Sequence, residues 1–225
     1  MNTVQDQVPA VSATRDGRFP SRARFDAVWE EILQASGTWS GIDCSGYVQK
    51  WCGTVPDGIT ESLVGVNHIG LYLGDYTRDE EVLDWNSYLR DLRSAERISS
   101  VEMGPSYISP RQYGTQGWWN SCRLPDGRTI ETFMCKSYGP WLERPVDERR
   151  RLMSHVAIDV RSEPDVQRVL RALDDGVDAL ETIAFTEADE LGHTYGHVRN
   201  NASKIVLEIV HQAPQGEHVP NDGGR

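Results

Sequence analysis

No apolar run in the chain approaches the ~20 residues that a membrane-spanning helix needs, so no membrane partner is expected. A basic footprint is missing too. The 34 acidic residues outnumber the 23 basic ones, and the formal net charge of −11 argues against a nucleic-acid surface. The opening stretch MNTVQDQVPAVSATRDGRFP lacks the charged-then-apolar layout of a signal peptide. Cysteine is scarce and scattered: Cys44, Cys52, Cys122 and Cys135 form no CxxC pair and no zinc-like spacing. Without an export signal they are expected to be reduced thiols in a cytoplasmic protein, with no Cys44–Cys52 disulfide. What is present is ordinary for a soluble globular chain. Its 225 residues, 38% hydrophobic and 25% charged, suffice to bury a real core.

Residues 1–20 are polar and carry Pro and Gly breakers, so they are expected to form a disordered lead. Residues 21–63 read as a helical and loop extension. Phe25, Val28, Trp29, Ile32 and Leu33 form one helical stripe, which ends near Gly37. The stretch SGIDCSGYVQKWCGTVPDGIT that follows is expected to be loop or short elements packed on the side of the core. From Val64 the pattern becomes regular. VNHIGLYLG reads as a strand, and DEEVLDWNSYLRDLRS as an amphipathic helix carrying Val82, Trp85, Leu89 and Leu92. SVEMGPSYI is a short strand, and GWWNSCRLPDGRTIETFMC is two strands joined by Leu-Pro-Asp-Gly. GPWLERPVDERRR reads as a connector, its DERRR run solvated. The pattern then restarts. LMSHVAIDV is a strand, EPDVQRVLRALDD a helix with Pro164 in its first turn, ETIAFTE a strand, and YGHVRNNASKIVLEIV a hairpin turning at 200–203. The tail 213–225 is polar, rich in Gly and Pro, and expected to be disordered.

The order strand–helix–strand–strand–strand therefore occurs twice, over 64–140 and 152–212. A histidine stands near the start of each first strand: His68 beside Val66, Gly70 and Tyr72, and His155 beside Ala157. Each last strand carries a glutamate among apolar residues, Glu131 beside Phe133 and Cys135, and Glu208 beside Val206 and Val210. A carboxylate inside such a strand is costly unless it is paired or bound to a cation. Two imidazole nitrogens and two carboxylates on rigid strands suit one divalent ion: zinc, nickel, iron(II), manganese or cobalt.

A βαβββ module used twice, with these residues on the first and last strands, resembles the vicinal oxygen chelate superfamily. The His68–Glu131–His155–Glu208 order is similar to that of bacterial glyoxalase I and of metal-dependent epimerases of that superfamily. The resemblance covers roughly residues 64–212. It implies an α+β fold in which the modules pair into a curved mixed sheet around a metal-binding cleft. It also implies that the four residues hold the ion and that Glu208 or Glu131 is the catalytic base, with glyoxalase-like precedent leaning towards Glu208. Nothing in the chain identifies a glutathione site.

Tyr72 shares the face of His68 and is expected as a pocket wall. One of Trp118 and Trp119 should face the cleft and the other the outer packing. His197 falls on the third strand of the second copy, either lining the cleft or on the surface, and His211 reads as a non-ligand. Arg123 and Arg199 are either anchors for an anionic substrate or surface residues. The expected partner is a small-molecule substrate; a homodimer is compatible with the resemblance. The functions in contention are an isomerase, epimerase or lyase working through a metal-stabilised enolate, an iron(II) ring-cleaving dioxygenase, and a non-catalytic small-molecule-binding or resistance protein. Glu131 separates the first two: as a fourth ligand it favours proton transfer, and turned away it favours oxygen chemistry.

Overall fold

The computed structural model describes residues 8–189 and 192–212. Residues 1–7 of the expected lead and the whole 213–225 tail lie outside them. Eight strands form one curved mixed sheet. In chain order they are β1 (Leu63–Tyr76), β2 (Ser100–Pro105), β3 (Gly117–Arg123), β4 (Thr129–Lys136), β5 (His155–Val160), β6 (Leu180–Thr186), β7 (His193–Asn200) and β8 (Val206–Gln212). Their spatial order is β2-β3-β4-β1-β5-β8-β7-β6. Each module places its first strand parallel to its last, and the modules join through the antiparallel β1–β5 pair. This is the α+β two-module layout that the repeat implies.

Helices cover the convex face, each through the apolar stripe its sequence carries. α1 (Phe25–Trp39) buries Phe25, Val28, Trp29 and Ile32, and α3 (Asp79–Ser94) buries Val82, Trp85, Leu89 and Leu92 against the first module. The start of α3 is fixed by Glu81, whose carboxylate accepts from the backbone N–H of Thr77 at 2.7 Å and Arg78 at 3.0 Å. α2 (Cys44–Cys52) lies within the stretch expected to be loop or short elements, and packs Val48 and Trp51 on the second module. The same core cluster takes α6 (Glu163–Gly176), which buries Val166, Val169, Leu170 and Leu173. All four cysteines are free. Among the described residues, no helix is long and apolar enough to cross a membrane.

Three sequence expectations are corrected. Residues 8–20 are a packed strap, not a disordered lead. Val8, Val11, Ala13 and Phe19 are buried, the Phe19 N–H donates to Asp75 O at 3.1 Å, and the Asp75 N–H donates to Gly17 O at 2.7 Å. The backbones come so close that a Cβ on Gly74, whose φ is +107°, would overlap Arg18. The polar composition concealed the strap because its few apolar residues follow neither a helical nor a strand period. The run expected to be a solvated connector forms α4 (Gly139–Glu143) and α5 (Val146–Met153), and buries Arg149 and Arg150. Arg149 pairs with the Asp75 carboxylate, which also accepts from the Tyr72 hydroxyl and from Trp141 Nε1 at 2.6 Å. Arg150 donates to the strap carbonyls of Thr14 at 3.3 Å and Arg15 at 3.4 Å. Met153, expected at the start of a strand, ends α5 instead.

Candidate metal centre and its cleft

The strand registers put the four ligand candidates on one face. Gly70 opposes both Glu131 and His155, and Ala157 opposes both His68 and Glu208. Paired residues share a side of the sheet, so alternation carries all four to the concave face. The donor atoms converge. His68 Nε2 lies 3.3 Å from His155 Nε2 and 3.1 Å from Glu208 Oε2. His155 Nε2 lies 3.2 Å from the same oxygen, and Glu131 Oε2 is 3.6 Å from His68 Nε2.

These separations fit an ion. Bonds of about 2.0–2.2 Å to nitrogen and oxygen place neighbouring donors roughly 3.0–3.5 Å apart. Neighbouring residues fix the orientation of these side chains. Asn67 donates from Nδ2 to Asp159 at 2.9 Å, which turns its Oδ1 to His68 Nδ1 at 2.8 Å. Nδ1 must then carry the hydrogen, and Nε2 faces the other donors. An irregularity between Val66 and His68 in the β1–β5 ladder accompanies this placing of two neighbouring side chains in one network. His155 lies over Gly70, where any Cβ would overlap its ring, and packs against Phe133 at a centroid distance of 5.4 Å.

The charges agree with this arrangement. Burial pulls the His68 pKa down, but Glu131 and Glu208 outweigh it and set it at about 9. The centre therefore favours positive charge. Burial, helped by the rings of His68 and His197, takes His155 down to about 4, so its imidazole is neutral. Burial also disfavours charge on Glu208, yet His197, His68 and the hydrogen bonds of His155 and His197 hold it well below the carboxylate range. Burial lifts Glu131, with His68 opposing and Glu208 adding to the rise.

The remaining candidates fall as follows. His197 on β7 opposes Glu208 and is buried, with Nε2 3.4 Å from Glu208 Oε2. Trp119 opposes Phe133 on the cleft face, whereas Trp118 packs with the first module's helix-side core. Tyr72 is buried below the cleft with Tyr113, Cys135, Trp141, Leu152 and Met153. His211 Nδ1 donates to the Val160 carbonyl at 3.1 Å, outside the cluster. Arg199 is tied to Glu181 at 2.7 Å, and Arg123 is exposed. Asn67, Asp159 and Gly70 were not singled out from the sequence. Asn67 directly precedes the ligand candidate His68 and Gly70 stands two residues beyond it, which were the available signals. The segment 106–113, ending in a single π-helical turn, crosses from the first module to the second, where Gln112 Nε2 donates to Ile183 O at 2.7 Å.

No family model matches the chain, and no curated protein does. Similar solved structures include methylmalonyl-CoA epimerase from Mycobacterium tuberculosis, at 11% identity and a TM-score of 0.39, covering 72% of this chain and 94% of that one. A mutant 4-hydroxymandelate synthase from Streptomyces coelicolor matches at 12% identity and a TM-score of 0.38, over 69% of this chain and 50% of that one. This chain thus spans about half of the synthase. The Mn(II)-bound glyoxalase from Novosphingobium aromaticivorans matches at 14% identity and a TM-score of 0.23, over 66% of this chain and 64% of that one. Scores of this size carry no argument about activity. The resemblance to the vicinal oxygen chelate superfamily holds as one of fold, in the two-module sheet itself.

Proposed function

We propose that the chain is a metal-dependent isomerase, epimerase or lyase that moves a proton on a small oxygen-rich metabolite. The observation that supports this best is the convergence of His68, His155 and Glu208 donor atoms to 3.1–3.3 Å, with Glu131 beside them. His68, His155, Glu208 and Glu131 would hold one divalent ion per chain; this donor set suits iron, nickel, zinc, manganese or cobalt. When bound, such an ion supplies Lewis acidity to two neighbouring substrate oxygens. The chain's own residues do the rest. Asn67 fixes the His68 tautomer, and the apolar walls beside His155 exclude water.

Of the two glutamates, Glu131 is the better proton carrier. Glu208 Oε2 is hemmed by three imidazoles within 3.4 Å, which leaves it little capacity to accept a substrate proton. Among the described residues, Glu131 has an ion-pair contact to His68 alone, and it keeps 20% of its side chain exposed, enough to meet a substrate carbon. This reverses the leaning towards Glu208 that the family resemblance carries.

A second reading has its own observation. His68, His155 and Glu208 are the tightest trio, with Glu131 farther off at 3.6 Å, and a two-histidine, one-carboxylate face is also the iron(II) oxygenase set. One experiment separates the readings. In metal-loaded protein, Glu131→Gln should lower solvent-deuterium incorporation into α-hydroxy ketones by about 10²–10⁴-fold while metal content stays close to the parent's. A silent Glu131→Gln, together with oxygen-dependent turnover in the parent, would sink the isomerase reading.

A further inference from the structure

We infer that the narrow cavity beside His155 is a substrate subsite for a compact apolar group bearing one hydrogen-bond donor, which His197 Nδ1 receives; this rests on the metal-centre reading above. Ile108, Phe133, Met153, Ile183 and Val206 give the cavity apolar walls, and His155 and His197 join it to the ligand cluster. Other polar groups on its walls are engaged. The Tyr113 hydroxyl donates to Leu152 O at 3.1 Å, and Ser106 Oγ is held by Ser109 Oγ at 2.9 Å. Among the described residues, His197 Nδ1 is buried and has no hydrogen-bond partner.

The chemistry of that atom follows from its neighbour. Nε2 lies 3.4 Å from Glu208 Oε2, an oxygen that two further imidazole nitrogens also approach, so the ring hydrogen belongs on Nε2, facing the acceptor. Nδ1 is then a lone pair, an acceptor buried with nothing to accept.

The pseudo-symmetry of the sheet shows that this residue is not part of the repeated ligand set. Glu208 opposes His197, and in the first module Glu131 opposes Ser121. The histidine therefore stands on one side of the cleft only, the side that has the cavity. The substrate class this fits has two neighbouring oxygens for the ion, a short apolar arm and an O–H or N–H towards the arm's far end.

Hydroxamates present two neighbouring oxygens, so two of them can probe the subsite in the Co(II)-loaded full chain. 3-Hydroxypropionohydroxamate differs from propionohydroxamate by one terminal hydroxyl, and titration through the cobalt absorption bands gives both affinities. The hydroxylated compound should bind about 3- to 10-fold tighter. In His197→Gln the amide N–H still reaches towards Glu208 but nothing replaces Nδ1, so the preference should vanish with cobalt content unchanged. Equal binding in the parent, or a preference that survives in His197→Gln, overturns the subsite and leaves the metal centre standing. Loss of cobalt from His197→Gln makes it a ligand and overturns the inference as well. If neither compound perturbs the cobalt bands, the chelation reading fails and the subsite with it. Ile183→Phe is a second variant, which fills the cavity without touching the ligands. It should weaken both three-carbon compounds while acetohydroxamate binds as before, and equal weakening of all three would count against the subsite.

Discussion

Gly70 occupies a position where β1 would ordinarily carry a side chain into the cleft, and the His155 imidazole fills that space. Gly70→Ala should therefore displace the ring and weaken metal binding while the strand itself remains. Isothermal titration with zinc, alongside circular dichroism, checks both halves of that expectation. Asn67 works from the other side, through the tautomer of His68. Loss of such an orienting partner typically costs about 10- to 100-fold in metal affinity. Asn67→Ala should show a fall of that size, whereas an unchanged affinity would mean that His68 is oriented without it. The ligand candidates were legible in the sequence because strand alternation is strict: once His68 and Glu131 sit among apolar neighbours, their face follows. His197 was not settled, because its face depends on the register of a hairpin that a single sequence leaves open. The Asn67–Asp159 bond joins residues 92 apart and has no local signal at all.

Among the elements, α5 carries the least expected packing. Arg149 reaches the Asp75 carboxylate from 74 residues away, and Tyr72 and Trp141 complete that carboxylate's partners. Removing one member of a buried pair strands the other, a loss of about 3–5 kcal/mol. Arg149→Met should lower the unfolding midpoint in urea accordingly. The double variant Arg149→Met/Asp75→Asn should recover part of the loss, because the stranded charge is gone. A run such as DERRR reads as solvated because charge is usually exposed, and the partner that reverses this lies on a distant strand. The helix stripes of α1, α3 and α6 were readable for the opposite reason: their period is local, and burial followed it.

At the scale of the molecule, the two modules share one sheet through β1 and β5, and the strap at 8–20 touches both. Val11, Ala13 and Phe19 belong to the first module's core, and Val8 to the second's. Burying a valine or phenylalanine side chain is worth about 1.5–3 kcal/mol, so deleting residues 8–20 should cost several kcal/mol. Thermal unfolding checks this; an unchanged midpoint would show that the strap adds nothing. The composition of the N-terminal stretch suggested a dispensable segment. Its contribution is long-range and therefore was not visible in any local window. The strap also bears on the order of events during synthesis. Val8 is made well before Ile205, Leu207 and Ile209, yet all four belong to one core cluster. Its place in the core is not complete until β8 has been made. The first module can collapse on its own strands, but the strap, made before that module, completes its docking only after β8.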